Sequence, residues 1–244
     1  MKHFIHLIVF YLSLFSLSHA APQTFSSGNK QVNVIELYTS EGCSSCPPAE
    51  EWLNSFKQDD RLWKEIIPLA FHVDYWDYIG WPDRFADPKF ADRQRYYVFS
   101  EQLSGVYTPG VMLNGREWRG KSAIDSKKDK AGQLILEFDN GQVDVRYVTK
   151  TQDAPLNINI AVLGFDLVTE VKRGENQGRE LVHDFVVLGH DLSRLQQNDT
   201  GEYCFSSKLP TLKMHANKLA IVAWVNRSKD LTPIQATGGW LLNE

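Results

Sequence analysis

Cysteine is scarce in this sequence, and so are long apolar runs and any surplus of positive charge. Only three cysteines occur in 244 residues, at positions 43, 46 and 204. Beyond the first residues no apolar run is long enough for a membrane-spanning helix, which needs about 20 apolar residues. Basic residues number 26 against 30 acidic ones. That mild acidity argues against nucleic acid as a partner, because binding it usually demands a basic face. Internal repeats and low-complexity tracts are lacking too. So is a second pair of metal ligands at cysteine-like spacing, because Cys204 stands alone. No metal and no cofactor is therefore expected.

What is present begins with a leader. Lys2 gives a short positive start, Phe4 to Phe15 is almost wholly apolar, and Ser18-His19-Ala20 offers small residues for a signal peptidase. This pattern predicts a signal peptide over residues 1–20, cut after Ala20. The apolar run is too short for an anchor, and no cysteine at the cut invites a lipid. Once Lys2 leaves with the leader, 25 basic residues face 30 acidic ones. The chain is then exported, to a periplasm or the extracellular space, where disulfides persist.

Residues 21–31 are polar and read as a flexible lead-in. Val32 to Thr39 reads as a buried strand, broken by Glu41-Gly42. A helix opens between Cys43 and Pro48 and runs to about Gln58, with Ala49, Trp52, Leu53 and Phe56 at helical spacing. Ile66 to Val73 reads as a strand, and Lys89 to Leu103 as a helix. Asn114-Gly115 between two short apolar stretches predicts a hairpin, and a further helix is expected within 122–134. The order is β-α-β-α-β-β-α. After Asn140-Gly141 short alternating stretches follow, at 143–148, 156–163, 166–172, 180–188 and 218–225. They predict an antiparallel β-sandwich. The boundary falls near residue 140, giving units at 32–140 and 141–244.

Cys43-Ser44-Ser45-Cys46 carries the chemistry. A Cys-x-x-Cys pair can be a redox pair, half a zinc site or a structural disulfide. Its place between a strand and a helix favours the redox reading. Unpaired backbone N–H groups and the helix dipole stabilise a thiolate on the first sulfur. Ser44 or Ser45 can cap the helix, and Pro47 and Pro48 fall in the first turn, where no N–H is needed.

The β-α-β-α-β-β-α order, Cys43-Ser44-Ser45-Cys46 and Thr108-Pro109 resemble the thioredoxin superfamily. More closely, the run from Glu36 through Cys43-Ser44-Ser45-Cys46-Pro47-Pro48-Ala49 is similar to a secreted family known only as a domain of unknown function. His72 through Trp81 (HVDYWDYIGW), Tyr107-Thr108-Pro109 and Arg173 through Arg179 (RGENQGR) share that similarity. The resemblance implies a fold in which an α/β thioredoxin-like domain, a central sheet flanked by helices, is followed by a β-rich part. It implies no established reaction. It also implies a cis peptide bond before Pro109, although only roughly 5–6% of such bonds are cis. Thr108 and Pro109 would then position a bound substrate chain. Departures from thioredoxin proper are Gly42 in place of Trp, Ser44-Ser45 in place of Gly-Pro, and Pro47 in place of a basic residue. Leu37 stands where thioredoxin has its buried Asp, so Glu36, one residue away, is the candidate proton acceptor for the resolving thiol. Glu41, Glu50 and Glu51 oppose thiolate formation. Cys43 is accordingly expected to be less acidic than in strongly oxidising relatives.

Other constellations are weaker. His72, Asp74 and Asp77 can hold a metal or shuttle protons, but carboxylates that cap turn N–H groups explain them as well. Tyr75, Trp76 and Trp81, with Tyr78 and Phe85, line either a peptide groove or a packed loop. Glu175-Asn176-Gln177-Gly178 reads as a turn. His183 and His190 read as isolated structural residues, and Cys204 as a buried apolar side chain. Asn198-Asp199-Thr200 and Asn226-Arg227-Ser228 match the glycosylation sequon. The function expected is thiol–disulfide exchange by Cys43 and Cys46 on exported proteins or small thiols, with a redox partner. The alternatives are a binding module braced by a permanent disulfide, and a copper carrier using the two cysteines with His72.

Overall fold

The computed structural model describes residues 21–120, 124, 130–151 and 155–242. The leader expected at 1–20 lies outside the described residues, as does most of the helix expected at 122–134.

Among the described residues the chain forms fifteen strands and only two α-helices, α1 (Pro47–Ser55) and α2 (Pro88–Phe99). The expected α/β domain followed by a separate β-sandwich is therefore corrected. The molecule is predominantly β, and its largest sheet joins strands from both halves of the chain. That sheet has eight strands. Its order is β15 (Pro233–Trp240), β14 (Lys218–Arg227), β8 (Leu156–Phe165), β11 (Val186–Arg194), β3 (Ile66–His72), β2 (Asn33–Thr39), β4 (Gly110–Leu113) and β5 (Arg116–Glu117). β2 and β3 are buried along their whole length. Strands of that kind need a neighbour on each edge and cover on both faces. β4 supplies one edge. On the other side Val186 of β11 pairs in parallel with Ala70, and the Ala70 N–H donates to the Phe185 carbonyl at 2.9 Å. The helix-rich start of the chain thus continues into β11, β8, β14 and β15.

A second, antiparallel sheet runs in the order β1 (Gln23–Ser26), β6 (Gln133–Asp139), β7 (Gln142–Val148), β13 (Tyr203–Lys208), β12 (Gln196–Gln197). Gln23–Ser26, inside the expected lead-in, is thus a paired strand. The apolar faces of β6 and β7 pack on Ile158, Ile160, Ile221 and Val225 of the large sheet. The opposite face, with Ala161, Leu163, Val222 and Trp224, merges with the core around Leu37, Phe71 and Tyr97. A third pair, β9 (Leu167–Glu170) and β10 (Glu180–His183), forms an isolated hairpin.

The Asn114-Gly115 turn between β4 and β5 has positive φ at both residues, 51° and 75°. A Cβ on Gly115 would lie 2.6 Å from the Thr232 Cα, so that glycine lets the turn close against the C-terminal segment.

Candidate functional site

Thr39 ends β2, and the chain turns at once into Cys43-Ser44-Ser45-Cys46. The Cys43 N–H donates to the Ser40 carbonyl at 3.1 Å and the Cys46 N–H to the Cys43 carbonyl at 3.2 Å. Cys46 is the N-cap of α1, with Pro47 and Pro48 in the first turn. The two cysteines are joined by a disulfide with their Cα atoms 5.4 Å apart. Ser45 Oγ lies 3.4 Å from the Cys43 sulfur.

The Thr108–Pro109 peptide bond is cis. Gly110, the next residue, pairs with Tyr38, so this bond sits at the sheet end from which the Cys43 turn departs. Trp76 bridges the two. Its Nε1 donates to Thr108 Oγ1 at 2.7 Å, and its Cβ lies 3.2 Å from where a Cβ on Gly42 would fall. Beside Pro109 opens a cleft of about 680 Å³ lined by Ala49, Trp52, Tyr107, Val111 and Trp118. Trp52 and Trp118 stack with ring centroids 5.1 Å apart.

Both cysteines are buried, Cys43 1% and Cys46 0% exposed, whereas Ser44 and Ser45 are open. The loop between β9 and β10 clasps the turn. Buried Asn176 donates through Nδ2 to the Glu41 carbonyl at 2.8 Å and to the Cys43 carbonyl at 2.9 Å. Glu175 accepts from the Ser44 N–H at 3.1 Å and the Ser44 hydroxyl at 2.6 Å. Those two bonds hold the Glu175 carboxyl below its usual range. Its charge sits where the helix dipole favours an anion, the place a Cys43 thiolate would also use.

Behind the turn lies a buried polar cluster. Glu50 is one turn along α1 from Cys46, on the same helix face. It accepts from Thr39 Oγ1 at 2.5 Å and meets His183 Nδ1 at 2.5 Å. His183 Nε2 lies 3.4 Å from Glu41 Oε1, and Glu41 Oε2 accepts from Trp81 Nε1 at 2.7 Å. His72, at the end of β3, holds Asp83 through Nδ1 at 2.7 Å. Asp83 also accepts from the N–H groups of Glu41 and Phe85. Burial works against charge on His183, but Glu50 and Glu41 outweigh it and raise its pKa to about 10. Burial pushes the Glu50 carboxyl up, and the His183 charge and hydrogen bond bring it below its usual value.

The residues named from sequence fall into two groups. Cys43, Cys46, Thr108 and Pro109 come to one end of the sheet. Glu36 does not. It faces α2, where Arg93 binds both carboxylate oxygens at 2.8 and 2.9 Å and the Tyr38 and Tyr97 hydroxyls donate to them. Tyr75, Trp76 and Trp81 are tied by hydrogen bonds to Gln94, Thr108 and Glu41, and Tyr78 is 83% exposed. The cleft beside Pro109 is walled by Trp52, Tyr107 and Trp118. Asp77 accepts from the Asp83 N–H at 3.0 Å, a turn-capping role. His183 is not isolated, and neither it nor Glu50 was legible as a pair. The helical spacing of Glu50 from Cys46 was the one available signal. Cys204 is half-buried, on the wall of an open cleft of about 810 Å³ on the second sheet.

A family model described as a protein of unknown function (DUF1223) matches residues 34–226. No curated protein matches. Protein AGR_C_4864 from Agrobacterium tumefaciens is a solved structure similar to this chain. It has 24% identity and a TM-score of 0.59, over 89% of this chain and 97% of that one. HBP35 of Porphyromonas gingivalis is similar at 13% identity and a TM-score of 0.61, over 88% of this chain and 76% of that one. At such identities the likeness concerns the fold alone.

Proposed function

The chain belongs to the DUF1223 family of proteins of unknown function, whose model spans most of it, and we propose that it exchanges thiols and disulfides on exported proteins or small thiols. The observation that carries this reading is the Cys43–Cys46 disulfide, set at the start of α1 and at the sheet end that holds cis Thr108–Pro109. That local arrangement resembles the redox site of the thioredoxin superfamily.

In the oxidised form a substrate thiolate attacks the Cys43 sulfur. The Cys43–Cys46 bond breaks, Cys46 leaves as a thiolate, and a mixed disulfide forms. A second substrate thiolate then attacks the substrate sulfur and releases Cys43. Two electrons pass from substrate to the pair, and the two protons end on Cys43 and Cys46. With a reduced pair the steps run backwards, and Cys46 resolves the mixed disulfide; the relative potentials set the direction. The positive end of the α1 dipole stabilises the Cys43 thiolate. The cleft beside Pro109 offers Trp52, Tyr107 and Trp118 to an apolar or aromatic side chain of the substrate. Reaction requires the 173–179 loop to lift from the turn.

Cys46→Ser tests this. The expected outcome is a set of mixed disulfides on Cys43, recovered from the exporting cell and resolved by a thiol reductant. No adduct on Cys43, with a wild-type protein inert toward glutathione, contradicts it. Burial of both cysteines, in a turn held by Asn176 and Glu175, favours a second reading, a binding module whose disulfide braces the turn.

A further inference from the structure

Among the described residues, His72 Nε2 is buried with no hydrogen-bond partner, and His183 Nε2 and Glu41 Oε1, buried beside it, meet only as an ion pair at 3.4 Å. Leaving a buried polar atom unsatisfied costs about 1–3 kcal/mol, so His72 Nε2 calls for a partner. One nitrogen of each ring faces an outer carboxylate, His72 Nδ1 on Asp83 at 2.7 Å and His183 Nε2 on Glu41 Oε1 at 3.4 Å, and His183 Nδ1 turns to Glu50 at 2.5 Å. A carboxylate on one ring nitrogen is the arrangement that fixes the tautomer of a metal-binding imidazole and leaves its other nitrogen free to coordinate. A carboxylate oxygen of Glu50 and one nitrogen each of His72 and His183 lie within 4.8 Å of one another, and all three residues are buried.

We propose that Glu50, His72 and His183 form a site for one divalent transition-metal ion, with Glu41 as a flanking carboxylate and Asp83 as the residue that positions His72. Two imidazoles and a carboxylate suit zinc and its neighbours in the first transition row, and they exclude calcium and magnesium, which take oxygen donors. A tetrahedral ion with bonds of about 2.0–2.1 Å needs ligand atoms roughly 3.3 Å apart. The present spacing, 2.5 Å between Glu50 and His183 Nδ1 and within 4.8 Å across the set, brackets that value. A dication also offsets two of the three negative charges of Glu41, Glu50 and Asp83, and it takes the place of the proton on His183. The Cys43 and Cys46 sulfurs take no part, so the inference is independent of the redox reading.

The test is titration of the mature, disulfide-intact protein, stripped with a chelator, with Zn²⁺ and separately with Co²⁺. One saturable equivalent is expected, with visible d–d bands from bound Co²⁺. His72→Gln and His183→Gln are each expected to lose more affinity than the roughly 10–100-fold that loss of an outer-shell partner costs, and Asp83→Asn to fall within that range. A Cys43→Ser/Cys46→Ser variant should bind as the parent does. The site is overturned by no saturable equivalent in the unsubstituted protein, by unchanged binding in both histidine variants, or by loss of binding with the cysteines. If the histidine variants do not fold, the titration of the unsubstituted protein decides alone.

Discussion

At the scale of single residues, two buried groups carry measurable consequences. Glu36 and Arg93 form a bidentate pair in the core, and neither side chain is more than 6% exposed. Removing one partner of such a pair strands a charge and costs about 3–5 kcal/mol. Arg93→Met is therefore expected to destabilise by that order in urea unfolding, and adding Glu36→Gln to recover most of the loss. The second group is His190, stacked on Trp224 with ring centroids 5.4 Å apart and bonded to Asn159. Burial first, then the charges of Arg93 and Lys89, lower its pKa to about 3. The folded protein keeps His190 neutral while the unfolded chain protonates below about 6.5. Its contribution is thus present above pH 6.5 and lost as pH falls from 6.5 toward 3. His190→Gln should flatten the stability–pH curve over that window; a curve that superposes on the parent contradicts the argument. Glu36 also shows where sequence reading ran out. Strand alternation places it opposite α1, but only the fold reveals that Arg93 and two tyrosines enclose it.

At the scale of elements, the loop between β9 and β10 governs access to the disulfide. Asn176 ties two carbonyls of the turn, and Glu175 ties Ser44 ahead of α1. Losing the Asn176 bonds costs about 1–3 kcal/mol, and each 1.4 kcal/mol is tenfold. Asn176→Ala is expected to speed reduction by dithiothreitol by roughly an order of magnitude. In the reduced protein, Glu175→Gln removes an anion bonded to Ser44, the residue after Cys43, and should lower the Cys43 thiol pKa, read from thiolate absorbance. No change in either measurement would leave the loop without a gating role. The sequence showed this loop as a turn, since its Gly and Asn are turn residues. It could not show what the turn covers, because residues 175 and 44 meet only through the sheet. The strand–Cys-x-x-Cys–helix unit was legible because capping, proline placement and apolar spacing all agree locally.

At the scale of the whole molecule, the misleading signal was the change of pattern near residue 140. Helix-rich and strand-rich stretches suggested successive units, yet β11 pairs with β3 and one core holds Leu37, Phe71, Leu163 and Trp224 together. Short alternating strands announce a sheet, but not which edge it extends. A fragment ending at residue 140 would expose the β3 edge and the face that Trp224 covers. It is expected to show no cooperative thermal unfolding, and residues 21–244 together are expected to show it.

The central claim, a working redox pair, is tested most directly by the reduction potential of Cys43–Cys46 in the mature protein. Glutathione titration with thiol counting by mass spectrometry measures it. The account predicts a value between about −120 and −270 mV, among known oxidoreductases. A value below about −300 mV, or no reduction at all, would mark the bond as structural and contradict the account.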